Sequence, residues 1–188
     1  MDFMKEMSAY LEMELTTLRA LDMDSLNRAL NLLVEAFENG NTVYVFGNGG
    51  SAATASHFQN DFNKGVSEHT EKKFLFQCLN DNTATVMAIA NDIGYDEVFR
   101  FQLRGRLKPG DLILAISGSG NSKNVLNAVE YAREQGNRVI GLTGFRGGKL
   151  RKLSDVSLHA PVENIQIAED IHLFMNHLMM WVLSRALA

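Results

Sequence analysis

A histidine and an aspartate one helical turn apart are the first residues of this chain whose spacing suits chemistry. His57 and Asp61 stand at i and i+4 in a stretch that reads as a helix, so both side chains project from one face. An imidazole and a carboxylate placed in this way can exchange protons with a bound molecule or hold a divalent metal ion. Because a lone histidine is more often structural, a catalytic interpretation needs a ligand site beside the pair.

A glycine-rich turn immediately before that helix offers such a site. The segment VYVFGNGGSA, residues 43–52, leads from an apolar strand through Asn48 and Gly49 to Ser51. Free backbone N–H groups and the helix dipole favour an anion there, and Ser51 can cap the helix or donate to a phosphate. Neither common nucleotide motif fits. No lysine follows as in a P-loop, and the acid after the next strand, Asp81, comes too late for a dinucleotide fingerprint.

The same arrangement recurs after a later strand, in LAISGSGNSKNV, residues 114–125. Several hydroxyls and free N–H groups without an arginine form a neutral cradle suited to a phosphate monoester, although serines that merely cap their helix would give the same pattern. Open α/β sheets bind ligands at the carboxyl ends of their strands, so two such turns favour phosphate binding. The predicted phosphate-binding residues are Asn48, Gly49, Ser51, Ser117, Ser119, Asn121 and Ser122.

The last predicted helix, about 164–187, carries further candidates in IAEDIHLFMNHLMMWVL. Glu169 and His177 are eight residues apart, which corresponds to roughly 12 Å of helix rise. They can serve one ligand only by leaning towards it or by acting from two protomers. His172 is the natural competitor of Glu169. The Met, Leu and Trp stripe that follows is typical of core or helix–helix contact.

Composition limits the kind of protein that positions these residues. The chain has 188 residues, of which 46% are hydrophobic and 21% are charged, as expected for one globular domain. A net charge of −4 disfavours nucleic acid and anionic membranes as partners. The single cysteine, Cys78, excludes an internal disulfide and indicates a core residue of a cytoplasmic protein. The chain start predicts an amphipathic helix and not a signal peptide, and no stretch reads as a membrane span.

The pattern of elements predicts a three-layer α/β sandwich around a five-stranded parallel sheet of the doubly wound, flavodoxin-like kind. We expect one domain over 1–188, with a helical extension over 1–40 and an α/β core over 41–188. The expected strands are TVYVFG, FLFQCL, DLILAIS, RVIGLTG and VSLHAP. Helices are expected within 3–20 and near 24–39, 51–63, 83–91, 96–106, 122–135, 147–154 and 164–187.

Four segments together resemble the sugar isomerase (SIS) domain family, and within it the phosphoheptose isomerase branch. They are FGNGGSAATASHFQNDF, ISGSGNSKNV, LTGFRGGKL and AEDIHLFMNHL, and the resemblance runs through nearly the whole chain. It implies a parallel-sheet domain, a homotetramer with sites built between protomers, and zinc in some members. The implied reaction converts sedoheptulose 7-phosphate into D-glycero-D-manno-heptose 7-phosphate.

The resemblance also implies residue roles. The four serines of the two turns fall on phosphate-contacting positions, His57 on a metal-site histidine and His177 on the catalytic histidine. Asp61 stands where the family has a glutamate base, and Glu169 where it has a metal-binding glutamine, so the general base is Asp61 or Glu169. Gly118 replaces a common threonine, and an arginine beyond the base has no counterpart in NDFNKGV. The predicted catalytic residues are Asp61, His177 and Glu169, and the possible zinc ligands are His57, Asp61, Glu169 and His177.

Aldose–ketose isomerisation explains why such residues are wanted, since it needs a base at carbon and an acid or metal at the carbonyl oxygen. The alternative within the superfamily is a tetrameric, non-catalytic scaffold that binds the replication initiator protein. Such a scaffold can lose the histidine and acids that remain here. A sugar-phosphate-sensing transcription regulator would add a basic DNA-binding module, for which the acidic N-terminal helices leave no room. The isomerase is the preferred prediction.

Overall fold

A five-stranded parallel sheet between two layers of helices forms the centre of the computed structural model, which describes residues 1–187. Ala188, the last residue of the predicted domain, lies outside the described residues. In chain order the elements are α1 (Met4–Arg19), α2 (Met23–Asn39), β1 (Thr42–Gly47), α3 (Gly50–Asn60), β2 (Leu75–Cys78), α4 (Thr83–Asp92), α5 (Arg100–Leu103), β3 (Leu112–Ser117), α6 (Lys123–Glu134), β4 (Arg138–Thr143), α7 (Gly148–Leu153), β5 (Val156–His159) and α8 (Ile165–Ala186).

The strand order confirms the predicted doubly wound sheet. The strands lie in the order β2-β1-β3-β4-β5, and each neighbouring pair is parallel. The chain leaves β1 towards one edge and returns on its other side as β3, so the carboxyl ends of β1 and β3 lie next to each other. This is the topological switch point at which open α/β sheets bind ligands. Both glycine-rich turns begin there, directly after Gly47 and Ser117.

The two faces of the sheet bury separate apolar cores, because side chains alternate along each strand. Val45, Leu114 and Ile116 face the layer formed by α2, α3 and α8. Phe46 and Ile113 face the layer formed by α4 to α7. The predicted core position of Cys78 is confirmed, and burial raises the pKa of its thiol to about 12. Among residues 1–187, no helix combines the length and apolar composition needed to cross a bilayer.

Two local features differ from the predicted elements. The helix expected over 96–106 is reduced to a 3-10 turn over Tyr95–Glu97 and the single helical turn of α5, because Gly105 adopts a left-handed conformation with φ of +71°. The α-helix expected over 51–63 ends at Asn60, and a π-helical segment follows it over Asp61–Val66. A π-helical segment widens the helix locally and often occurs at functional sites. Here it begins at Asp61, a predicted catalytic residue.

Candidate active site

The two glycine-rich turns enclose a cavity of about 310 Å³, which we call the serine cavity. Its polar lining comes from the turns that follow β1 and β3 and from Glu169 of α8, and Phe145 and Ile165 add apolar surface. Lysine and arginine are missing from this lining, so an anion would be held by hydroxyls and backbone N–H groups. The lining residues are Asn48, Ser51, Ile116, Ser117, Gly118, Ser119, Ser122, Phe145, Ile165 and Glu169.

The helix starts beside the serine cavity have no side-chain caps. Gly49 is the N-cap of α3, with φ of +56°, and Ser51 is buried inside the first turn of that helix. Ser122 is the N-cap of α6, yet its Oγ lies 3.0 Å from Ser117 Oγ and caps nothing. The capping interpretation of Ser51 and Ser122 therefore fails. The first N–H groups of both helices remain for a ligand, as anion binding at helix N-termini requires.

A pair of asparagines joins the two turns. Asn48 Nδ2 donates to Asn124 Oδ1 at 2.8 Å, and Asn124 Nδ2 donates back to Asn48 Oδ1 at 2.9 Å. Tyr95 Oη donates to the same Asn48 oxygen at 2.9 Å. The amide of Asn48 is thus engaged with protein partners and fixes the spacing of the two turns. Tyr95 belongs to no motif of the sequence, and only the fold reveals that Asn124, within the second motif, pairs with Asn48.

Asn121 fixes the second turn to its neighbour. Its Oδ1 accepts from the Lys149 backbone N–H at 3.1 Å, and its Nδ2 donates to the Ser119 carbonyl at 3.0 Å. Ser119 Oγ accepts from the Asn121 N–H at 3.2 Å and keeps its own proton for another partner. A Cβ at Gly118, where the resemblance implies a threonine, would meet the end of the Ile165 side chain. Ile165 therefore occupies space that a longer side chain at this position would need.

His57, Asp61 and His177 form a second group, the histidine cluster, between α3 and α8. His57 Nε2 lies 3.0 Å from His177 Nε2, and Asp61 Oδ2 lies 3.3 Å from His57 Nε2 and 3.7 Å from His177 Nε2. The histidine side chains are 41% and 52% exposed, whereas that of Asp61 is 8% exposed. A buried carboxylate thus faces two imidazoles that a ligand can reach.

Asparagine side chains orient the Asp61 carboxylate. Asn176 is completely buried on α8, and its Nδ2 donates to Asp61 Oδ2 at 2.6 Å. Asn60 Nδ2 donates to Asp61 Oδ1 at 3.2 Å. No local sequence pattern selects Asn176, because the contact joins residues 115 positions apart.

The donor set of the histidine cluster fits a divalent metal ion. Its three ligand atoms lie within 4.8 Å of one another, and no other such group occurs among residues 1–187. Tetrahedral zinc with bonds near 2.1 Å places its ligands about 3.3 Å apart, close to the separations found here. Two imidazoles and one carboxylate also leave a coordination position open, which is typical of catalytic sites. Glu169, the fourth predicted ligand, is not part of this group.

Glu169 lies in the serine cavity instead. Its carboxylate rests against Gly50 at the start of α3, where any Cβ would collide with it. From Glu169 to His177 the rise along α8 is roughly 12 Å, and from Ser51 to His57 along α3 it is roughly 9 Å. The serine cavity and the histidine cluster therefore lie at different positions along both helices. His172, the competitor of Glu169, is fully buried and belongs to neither.

The fold and the site define the class of the protein. The chain belongs to the SIS domain family, whose match covers residues 2–144 and confirms the family expected from the motifs.

Individual relatives narrow this class. The chain is 38% identical to the phosphoheptose isomerase of Aliarcobacter butzleri over 166 residues, covering 88% of this chain and 87% of that protein. It is 36% identical to a probable phosphoheptose isomerase of Thermoplasma volcanium, with 92% and 88% covered. Among solved structures, phosphoheptose isomerase from Neisseria gonorrhoeae superposes with a TM-score of 0.89 at 29% identity, over 97% of this chain and 98% of that one.

Proposed function

We propose that this protein is a phosphoheptose isomerase that converts sedoheptulose 7-phosphate into D-glycero-D-manno-heptose 7-phosphate. The observation that carries the proposal is a hydroxyl-lined cavity with room for a phosphate group, together with a histidine–carboxylate cluster further along the same two helices. Relatives with this name cover most of the chain, which supports the same activity. The scaffold alternative has no comparable support, since the groups needed for chemistry are present and assembled.

The serine cavity takes the phosphate. In the open-chain substrate the phosphate on C7 is separated from C1 and C2 by the length of the carbon chain. A phosphate held by Ser51, Ser119 and the helix N–H groups would therefore direct C1 and C2 towards the histidine cluster. This argument favours Asp61 over Glu169 as the general base, because Asp61 lies at the reacting end and Glu169 lies at the phosphate end.

Asp61 and His177 share the proton transfers. Asp61 removes a proton from C1 of the ketose and returns it to C2, with an enediolate between the two steps. His177 moves a proton between the two oxygens, which turns the C1 hydroxyl into the aldehyde and the C2 carbonyl into a hydroxyl. Asn176 and Asn60 hold the Asp61 carboxylate in place for this work.

His57, Asp61 and His177 would also hold zinc if the protein takes a metal. A bound zinc ion would polarise the carbonyl oxygen and stabilise negative charge on the enediolate. Glu169 joins this set only if its side chain leaves Gly50 and turns towards the cluster. The metal is part of our proposal because the donor set suits it.

We infer a homotetramer, which the exposed apolar surface of α1 and α8 supports. Phe3 at the N-cap of α1 and Met7, Leu11 and Leu15 within it are 43–60% exposed, whereas Leu18 packs against the core. Phe174 and Trp181 add exposed surface on α8. Large contiguous apolar patches mark protein contacts, and α8 also carries the cluster, so neighbouring chains would complete each site. We retain cytoplasmic location and the single domain over 1–188, divided near residue 40, as predictions.

Incubation of the pure protein with sedoheptulose 7-phosphate, followed by NMR, tests the activity. We expect the aldehyde product and, in D₂O, deuterium at C2. Absence of turnover with and without added zinc would contradict the proposal and favour the scaffold.

The choice of base has its own test. Asp61→Asn should lower kcat by at least about a hundredfold. Glu169→Gln should change KM and leave kcat within a few-fold, because Glu169 faces the phosphate end. The opposite pattern, with kcat lost in Glu169→Gln and kept in Asp61→Asn, would assign the base to Glu169.

A further inference from the structure

A second polar cleft, which we call the arginine cleft, lies along the free edge of the sheet at β5. It encloses about 390 Å³ between the start of α2, the end of α7 and the outer side of β5. It shares no lining residue with the serine cavity. The lining residues are Ala20, Asp22, Ser25, Arg28, Arg151, Ser154, Asp155, Ser157, His159 and Pro161.

The donors of the arginine cleft lack acidic partners. Neither Arg28 nor Arg151 has a carboxylate oxygen within 4.0 Å in the part of the chain that the structure describes. Ser25 Oγ accepts from Arg28 Nη2 at 2.6 Å and so holds the guanidinium of Arg28 in one orientation. Arg151 is exposed, and its stem packs against Gly147.

Two residues of β5 add donors that point out of the core. Ser157 and His159 alternate with Val156 and Leu158, which are buried in the sheet. The Oγ of Ser157 is shielded from water, yet it has no hydrogen-bond partner among residues 1–187. His159 Nδ1 lies 3.0 Å from Thr143 Oγ1, which leaves Nε2 for a ligand. Burial, and secondly the positive charge of Arg151, lower the pKa of His159, so Arg151 lies close enough to act with it.

The two carboxylates that line the arginine cleft accept hydrogen bonds from other groups of the protein. Asp22 caps α2 by accepting from the backbone N–H groups of Asp24 and Ser25 at 3.0 and 3.1 Å. Asp155 Oδ2 accepts from the Val139 N–H at 2.7 Å and pairs with Arg133 at 3.3 Å. Hydrogen bonds from Ser25, and to a lesser degree the charge of Arg28, lower the pKa of Asp22, so this acid is occupied by protein donors. Arg151 has no carboxylate oxygen within 4.0 Å among the described residues, so its guanidinium group remains for a ligand.

We propose that the arginine cleft is a second anion site that binds a small phosphorylated molecule. Guanidinium forks suit phosphate oxygens, and hydroxyl and imidazole N–H groups complete their hydrogen bonds. The volume exceeds that of a bare phosphate ion and falls in the range of metabolite pockets. The site is independent of the isomerase reaction, because no residue of the serine cavity or the histidine cluster contributes to it.

Calorimetric titration with inorganic pyrophosphate tests this proposal on the full-length protein in its native assembly. Wild type should bind pyrophosphate at two sites per chain. Arg28→Gln/Arg151→Gln should lose one of them, with affinity there reduced at least tenfold, while isomerase activity is retained. Ser51→Ala/Ser119→Ala should weaken the other site and keep the arginine cleft site. Arg104→Gln removes an exposed arginine at the end of α5 and serves as the charge-matched control.

Two outcomes would overturn the second site. One is a single binding event in wild type that disappears in the serine variant. The other is unchanged binding in the double arginine variant while Arg104→Gln also binds as wild type. If circular dichroism shows that the double variant is unfolded, Arg151→Gln alone carries the test, since its exposed head group makes no contact that the fold needs. If Ser51→Ala/Ser119→Ala does not weaken pyrophosphate binding while the arginine variant behaves as expected, the phosphate position in the isomerase site is wrong. That result would not count against the arginine cleft site.

Discussion

The serine cavity and the histidine cluster lie on the same two helices and work by different means. The serine cavity offers a ligand backbone N–H groups and hydroxyls within a frame of asparagines, and no lysine or arginine lines it. The histidine cluster consists of titratable side chains, 3.0 to 3.7 Å apart, with Asp61 oriented from α8. We therefore expect substrate binding and proton transfer to depend on different residues of the protein. Changes in the serine cavity should act on KM, and changes in the histidine cluster should act on kcat.

The largest effect that sharpens this division is expected at His177. We predict that His177→Asn lowers kcat by roughly a hundredfold or more, because asparagine cannot exchange a proton near neutral pH. KM should change little, because the phosphate is bound at the other end of the site. Steady-state kinetics by coupled assay or NMR measures both constants, and the exposed His69→Asn serves as control. Unchanged turnover in His177→Asn would break the comparison and revive the scaffold alternative.

A second large effect is expected at His172, which lies on the same helix as His177. Replacement of His172 should change the pH dependence of stability. Burial lowers the pKa of the completely enclosed His172 to about 4. The folded state therefore favours neutral His172, and its stabilising contribution is complete above pH 6.5 and is lost as the pH falls towards 4. Between pH 7.5 and 5 this amounts to about 2 kcal/mol.

Urea denaturation at both pH values measures this contribution. His172→Leu should remove about that part of the difference in the free energy of unfolding between pH 7.5 and 5. His69→Gln is the control, because His69 is exposed. An unchanged pH dependence in His172→Leu would show that the acid sensitivity comes from other groups.

Much of the fold could be predicted because short segments of the sequence carry the residue patterns of the elements that they form. Buried parallel strands read as continuous apolar runs, and glycine-rich turns mark the carboxyl ends of β1 and β3. The helix expected over 96–106 was wrong because its apolar pattern did not reveal the left-handed turn at Gly105. The π-helical segment at Asp61 has no sequence signature, since it depends on how α3 meets α8.

The site could be predicted only where residues close in sequence act together. The serines of each turn lie close together in sequence, as do His57 and Asp61. Their residue types therefore indicate phosphate binding and proton transfer without knowledge of the fold. Asn124 and Asn176 contact partners 76 and 115 positions away, so no local pattern selects them. The place of Glu169 likewise depends on the angle at which α8 passes Gly50, which a sequence does not contain.

A smaller effect, about 1–2 kcal/mol in substrate binding, is expected in the serine cavity. Ser119→Ala should raise KM about tenfold and leave kcat nearly unchanged, because it removes one hydrogen bond to phosphate. Ser51→Ala should act in the same direction. Ser56→Ala, on the same helix but bonded to Asp81, is the matched control. If both cavity variants bind substrate as wild type does, the phosphate does not lie between the two turns.

The smallest effect is expected at Asn176, and it tests whether the orientation of Asp61 matters as much as its presence. Asn176→Leu removes the donor to Asp61 Oδ2 and should lower kcat about threefold to tenfold with KM unchanged. The melting temperature should not fall much, since Asn176 Oδ1 is buried without a partner among residues 1–187 and an apolar side chain avoids that cost. Met179→Leu, a volume-conserving change in the same buried face of α8, controls for repacking. A loss of stability with normal kcat would make Asn176 a purely structural residue. A loss of kcat with normal stability would instead show that the histidine cluster depends on the geometry of its carboxylate.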